Sequence, residues 1–223
     1  MTSKLQSLKL AFKETLPVAI PYLSFGFVFG MLLTREGIPW YFATAMGAFV
    51  YSGALQFFAI KMLTLNLPLS EILISSLMLS SRHIFYGLAL LEKMRGIPLL
   101  RKTPFIYLLT DETFSLVSSK TSKNSVTEYT YIALVNHIYW QFGCTAGALL
   151  GASIQVSLVG VDFILTALFA VMAFDQVQKT GLYKHGLIAL GLAFALLIFA
   201  PQMLLIGSMV LCLAIIFGES LWT

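Results

Sequence analysis

An all-α, polytopic membrane fold is what this sequence predicts, and three observations carry the reading. Hydrophobic residues fill 58% of the 223 positions and charged residues only 11%, less than half the charged share of about 25% in a soluble domain. The mean hydropathy is +0.87. The apolar residues form long runs without strict alternation, and lipid offers no partner to backbone N–H and C=O groups, so such runs are helices.

In chain order the apolar segments are 15 to 33, 41 to 62, 69 to 91, 104 to 118, 129 to 151, 163 to 178, 183 to 200 and 202 to 218. At about 20 residues per span they leave no room for a separate soluble domain, so 1–223 is one integral membrane domain. Residues 1–14 set Leu5, Leu8 and Phe12 against Lys4, Lys9 and Lys13. This is a basic amphipathic arm approaching the bilayer from the cytoplasm, and it lacks the small-residue cleavage site of a removable signal peptide. Segment 41 to 62 is interrupted by Ser52, Gly53 and Gln56, while 163 to 178 is short and ends in Asp175 and Gln176. Both are candidates for broken or re-entrant elements beside about six full spans. Cys144 and Cys212 lie inside apolar segments and read as small buried hydrophobes, not a disulfide. The formal charge of +4 is spread over short connectors, so it bears on membrane orientation and argues against nucleic-acid binding.

A weak internal similarity joins two halves, 15–118 and 129–218. FGFVFGMLL from Phe25 compares with FGCTAGALL from Phe142, and FATAMGAFVYSGALQ from Phe42 with FILTALFAVMAFDQ from Phe163. If 41 to 62 crossed fully, the basic connector with Lys93, Arg95, Arg101 and Lys102 would face away from the cytoplasmic arm, against the positive-inside rule. If it enters and returns, the conflict disappears, and the spans beginning at 15 and 129 run in opposite directions. An inverted repeat with two re-entrant elements is therefore the preferred topology, and eight plain crossings the alternative.

Arg82, His83, Asp111 and Glu112 sit inside apolar segments. A side chain ionised at mid-membrane costs about 2.5 to 3.5 kcal/mol on insertion scales, so such groups mark a site by default. Arg82 and Tyr86 share one helix face that continues to Ser75, and Ser76, Ser80, His83 and Gly87 form an adjacent small-residue seam for helix packing. Tyr107, Asp111 and Phe114 line a face of the next segment, with Glu112 and Ser115 turned away. Asp111 suits pairing with Arg82 or His83, and Glu112 suits a cavity or a proton. Asn136, His137, Trp140 and Gln141 read as a pathway wall or, more simply, an interfacial belt. Ser52, Gly53, Ala54 and Gln56 offer a half-helix whose free N–H groups and positive dipole end would face an anion such as a carboxylate. No HExxH, GxSxG, metal cluster or phosphate loop occurs, so no enzyme, metal or cofactor is expected and transport is favoured, with an uncoupled pore as the alternative.

YSGALQF from Tyr51, RHIFYG from Arg82 and LTDETF from Leu109 resemble, in order and spacing, the signature stretches of the AzlC/YgaZ family, large subunits of branched-chain amino-acid exporters. The resemblance implies a proton-linked inner-membrane exporter of branched-chain amino acids, with methionine as a further candidate, that works with a small AzlD/YgaH-type membrane subunit. Two positions depart from it: Ser80 stands where the family often has Asn or Asp, and Thr166 where it often has Pro.

Overall fold

The computed structural model describes residues 4–64, 67–118, 120, 126–151, 153, 170, 174, 177–178, 181–201 and 204–222. Its helices are α1 (Lys4–Arg35), α2 (Trp40–Phe49), α3 (Gly53–Thr64), α4 (Leu69–Ser80), α5 (Arg82–Leu90), α6 (Leu99–Tyr107), α7 (Asp111–Ser118), α8 (Val126–Leu150), α9 (Tyr183–Phe199) and α10 (Leu204–Trp222). Among the described residues there is no strand. Leu5–Arg35 and the nearly continuous Leu69–Leu90 are long and apolar enough to cross a membrane. The chain divides into two compact units, Met1–Ser76 with Ser80–Leu158, and Leu77–Leu79 with Val159–Thr223. The predicted second re-entrant segment, 163 to 178, lies almost wholly outside the described residues, as does Thr166.

Local chemistry sets the helix boundaries in the first unit. Beyond α1, Gly37 takes φ 78°, its N–H reaches Thr34 O at 3.1 Å and the N–H of Ile38 reaches Leu33 O at 3.3 Å. That is a glycine-terminated helix end in which both orphan carbonyls are satisfied. Pro39 and Pro98 stand immediately before α2 and α6, where a missing N–H costs nothing. At the far end of α7, the Lys93 ammonium donates to the carbonyls of Val117, Ser118 and Lys120, each at 2.8 Å. A cation is favoured there by the negative end of the helix dipole.

The core of this unit is the pair α1 and α8, which run in the same direction. Ala11 packs with Ile132 and Val135, Gly26 lies against Trp140 and Gly143, and Gly151 against Met31. The glycines that carried the internal similarity form this crossing. A Cβ on Gly147 would lie 2.0 Å from Phe27 O, and one on Gly30 would lie 2.1 Å from Cys144 O. Under the alignment of Phe25 with Phe142, Phe27 corresponds to Cys144 and Gly30 to Gly147, so exchanging the halves exchanges these contacts. That is the pattern of a two-fold axis along two parallel helices, packed backbone to backbone through small residues. It corrects the expectation that the spans beginning at 15 and 129 run oppositely. Hydrophobic periodicity carries no direction, so only these contacts reveal it. Gly87, expected in a packing seam, would meet nothing within 4 Å among the described residues if given a Cβ.

Two broken segments fold against this pair from opposite ends. Along α2, Thr44 bonds Thr145 at 3.0 Å and Gln141 donates to Thr44 O at 2.8 Å. Tyr51 then meets His137, ring centroids 4.4 Å apart, further toward the start of α8. The chain turns there, with Tyr51 at φ 36°, a conformation costing on the order of 1–3 kcal/mol for a non-glycine residue. Along α3 it returns, with Gln56 bonded to Trp140 at 2.8 Å and Phe57 packed on Phe29 at 5.6 Å. Segment 41 to 62 is therefore a helical hairpin.

Segment 104 to 118 corrects a second expectation, because it is not one continuous helix. From Phe105, packed on Tyr129 at 5.8 Å, α6 rises to a break at Leu108–Thr110. From there α7 descends to Lys120, which pairs with Glu14 at 2.6 Å. Leu108 leaves helical geometry at φ −91°, ψ 11°, and Thr110 Oγ1 lies 3.4 Å from the Thr113 N–H as a weak N-cap. With Asp111 and Glu112 in the first turn, the dipole favours a helix start at that point. The two tips meet near the middle of α1, where the Tyr107 hydroxyl donates to Ala48 O at 2.5 Å.

In the second unit α9 and α10 are antiparallel. Glu219 near the end of α10 takes Lys184 at 2.7 Å and His185 at 2.8 Å from the start of α9.

Candidate functional site

Both half-helices begin at the meeting tips, so the positive ends of α3 and α7 converge on one region beside Tyr22. Asp111 opens α7 and takes both nearby donors. Arg82 Nη1 reaches Oδ2 at 2.5 Å and the Tyr86 hydroxyl donates to Oδ1 at 2.7 Å. Tyr86 is itself stacked on Phe114 at 4.5 Å. Arg82 therefore pairs with Asp111 and not with Glu112. The pair is partly shielded, with side-chain exposures of 22% and 14%, so its loss costs less than the 3–5 kcal/mol of a fully buried pair. Arg82→Leu is expected to lower stability by roughly 1–3 kcal/mol and Arg82→Leu with Asp111→Asn by less, because the double change leaves no uncompensated charge. Thermal unfolding in detergent checks this, and strict additivity would refute the pairing energy.

Glu112 is placed differently. The Tyr22 hydroxyl lies 2.5 Å from its Oε2 and 2.7 Å from Thr110 Oγ1. Thr110 reaches Thr113 at 3.1 Å, and Asn136 Nδ2 donates to Thr113 Oγ1 at 3.0 Å. Each hydroxyl carries one hydrogen and can turn. With Glu112 ionised, Tyr22 donates to it and accepts from Thr110. With Glu112 protonated, the acid donates to Tyr22, Tyr22 to Thr110 and Thr110 to Thr113. The row suits both states and reverses direction between them, ending at Asn136.

The broken segment presents a third group of atoms. The N–H of Gln56 is bonded to Ser52 O at 2.8 Å, leaving the amides of Gly53, Ala54 and Leu55 as the free first turn of α3. Gly53 lies against Trp140, whose Cη2 would be 3.2 Å from an added Cβ. The indole N–H is a donor only, so its 2.8 Å bond to Gln56 Oε1 fixes the amide with Nε2 turned away. Gln56 and Asn136 are both 0% exposed, and Gln56 Nε2, Ser52 Oγ, Asn136 Oδ1 and His137 Nδ1 are buried without a hydrogen-bond partner among the described residues. Asn136 and Trp140, one turn apart on α8, are interior and not an interfacial belt.

His83 is the sequence-predicted residue that the fold leaves apart from both acids. Its Nδ1 lies 3.1 Å from Ser80 O, and it borders an apolar cavity of about 320 Å³ between α5 and α6 with Leu91, Phe105 and Leu109. Tyr22, Thr110 and Thr113 were not singled out by sequence reasoning. The Thr-Asp-Glu run signals the cap that places Thr110, but a tyrosine in an apolar helix announces nothing.

Apolar helices long enough to span a bilayer, folded around a half-buried acid and a buried hydroxyl and amide network, define an α-helical integral membrane protein with an internal polar site. The chain belongs to the AzlC family: the family model described as AzlC protein matches residues 17–154. It is 33% identical, over 93% of its length and 92% of the relative's, to an uncharacterized membrane protein of Helicobacter pylori. The branched-chain amino acid transport protein AzlC of Bacillus subtilis is 29% identical over 92% of this chain and 82% of its own. The inner membrane protein YgaZ of Escherichia coli is 29% identical over 90% and 86%. No solved structure matches the chain significantly.

Proposed function

We propose that this protein is a secondary transporter that exports branched-chain amino acids, with methionine as a further candidate, across the cytoplasmic membrane in exchange for protons. The observation that carries this reading is the meeting of two half-helix starts at Glu112. That acid is held by hydroxyls, while the neighbouring Asp111 is committed to Arg82 and Tyr86. A carboxyl group in a reversible hydroxyl row binds and releases a proton without stranding a donor. The Ser52 to Gln56 break supplies unpartnered donors for a substrate carboxylate. The relative named as a branched-chain amino acid transport protein points to the substrate.

In this reading the hairpins α2–α3 and α6–α7 are re-entrant, and access alternates as one tip or the other withdraws. The N-terminus is cytoplasmic. The Lys93 connector lies at the same end of α1 as its N-terminus, since Lys93 and Glu14 both meet the 117–120 region, in keeping with the positive-inside rule. A small AzlD/YgaH-type membrane subunit is the expected partner. Counterflow of labelled leucine in proteoliposomes, with and without that subunit, tests the proposal. Trans-stimulated uptake is expected. Uncoupled flux without counterflow would identify a pore instead.

A further inference from the structure

We infer that Gln56 and Asn136 divide recognition of the substrate's backbone between them: Gln56 Nε2 takes the α-carboxylate and Asn136 Oδ1 takes an N–H of the α-ammonium. The inference rests on the transporter reading and adds that the site selects a free α-amino acid by both ends of its zwitterion. Two amides held from neighbouring turns of α8 leave atoms of opposite polarity unpartnered among the described residues. Trp140 Nε1 can only donate, so it holds Gln56 with its NH₂ outward. Asn136 spends its own NH₂ on Thr113 and presents its oxygen. Both residues are 0% exposed, and both atoms are buried with no partner among the described residues, a state that normally costs free energy.

Asn136 and Trp140, the residue that holds Gln56, stand four residues apart on α8, about 6 Å along its axis at 1.5 Å per residue, a separation one small molecule can bridge. The free amides of α3 and Ser52 Oγ lie on the Gln56 side, where negative charge is favoured. Asn136 lies on the side of Thr113 and the row that ends at Glu112, whose carboxylate attracts positive charge when it is ionised. The first turn of α3, Ser52 to Leu55, is partly exposed while Gln56 is buried, which places the entrance at that turn.

The test is competition against labelled-leucine counterflow in the native protein. Leucinamide lacks the carboxylate, and 2-hydroxy-4-methylpentanoate lacks the ammonium. Each is expected to compete about 10- to 100-fold more weakly than leucine, the penalty for leaving one buried group unpaired. Gln56→Glu keeps the Trp140 acceptor but turns an oxygen toward the substrate, so leucine should weaken at least about tenfold relative to leucinamide. Asn136→Leu should narrow the gap between leucine and the hydroxy acid. If the native protein exchanges leucine but takes the hydroxy acid or the amide equally well, the division of roles is wrong and the transporter reading stands. If it exchanges no leucine, both fall.

Discussion

Glu112→Gln is expected to abolish proton-driven accumulation while leaving exchange in place. For one-for-one antiport, interior-acid liposomes should accumulate leucine about tenfold per unit of pH difference, because one pH unit is worth about 1.36 kcal/mol. The variant should fall to the passive ratio of one. The reason lies in the partners of the side chain. A glutamine of the same length still offers an oxygen to Tyr22, whose hydroxyl sits 2.5 Å from Oε2, so the tip keeps its shape. It cannot exchange a proton, so the hydroxyl row through Thr110 and Thr113 keeps one direction. Counterflow needs no net proton movement and should stay near native. Accumulation that survives in Glu112→Gln would remove this acid from the coupling.

The largest structural effect is expected at Gly147. A Cβ there would lie 2.0 Å from Phe27 O and 2.6 Å from Phe27 C and Cα. These are backbone atoms of α1, which cannot turn aside as a flexible side chain would. The helices must separate along the whole crossing, and overpacking of this kind costs typically 1–3 kcal/mol, more when backbone must move. Gly147→Ala is thus expected to cost at least about 3 kcal/mol and to reduce the folded fraction sharply in detergent size-exclusion profiles. Gly191→Ala in α9 is the control, since an added Cβ there meets nothing within 4 Å among the described residues and alanine favours a helix by up to about 1 kcal/mol. Equal behaviour of the two variants would show that the α1–α8 crossing is not the close contact described.

Much of the site was readable as residue identity but not as arrangement. The interruption at Ser52 and Gly53 is a local signal, and the chain does break there. The break at Leu108–Thr110 had comparable cues in Pro104 and the Thr-Asp-Glu run, yet the surrounding apolar residues suggested one continuous span. Arg82 and Asp111 stood out because charge is costly in lipid, whereas Tyr22, which holds Glu112, carries no charge and no periodic signal. The repeated Phe-Gly stretches at Phe25 and Phe142 revealed a relation between two helices. Its direction was inferred from charges on connectors, and the inference failed because 104 to 118, counted as one crossing, breaks at Leu108–Thr110 and returns, so that α8 starts at the same end as α1.

The amino-acid sequence by itself determined that the chain is helical, that it belongs in a membrane and that a few polar residues inside it require explanation. Those properties follow from composition and from the backbone's need to satisfy its own hydrogen bonds in lipid, both of which are local. Only the tertiary structure decided that α1 and α8 run in parallel and that 104 to 118 breaks and returns to the end it entered. It alone paired Arg82 with Asp111 and gave Glu112 to Tyr22, a residue 90 positions away. Such choices depend on which backbones approach closely enough to touch, and at Gly30 and Gly147 that is a matter of a missing side chain on each of two distant helices.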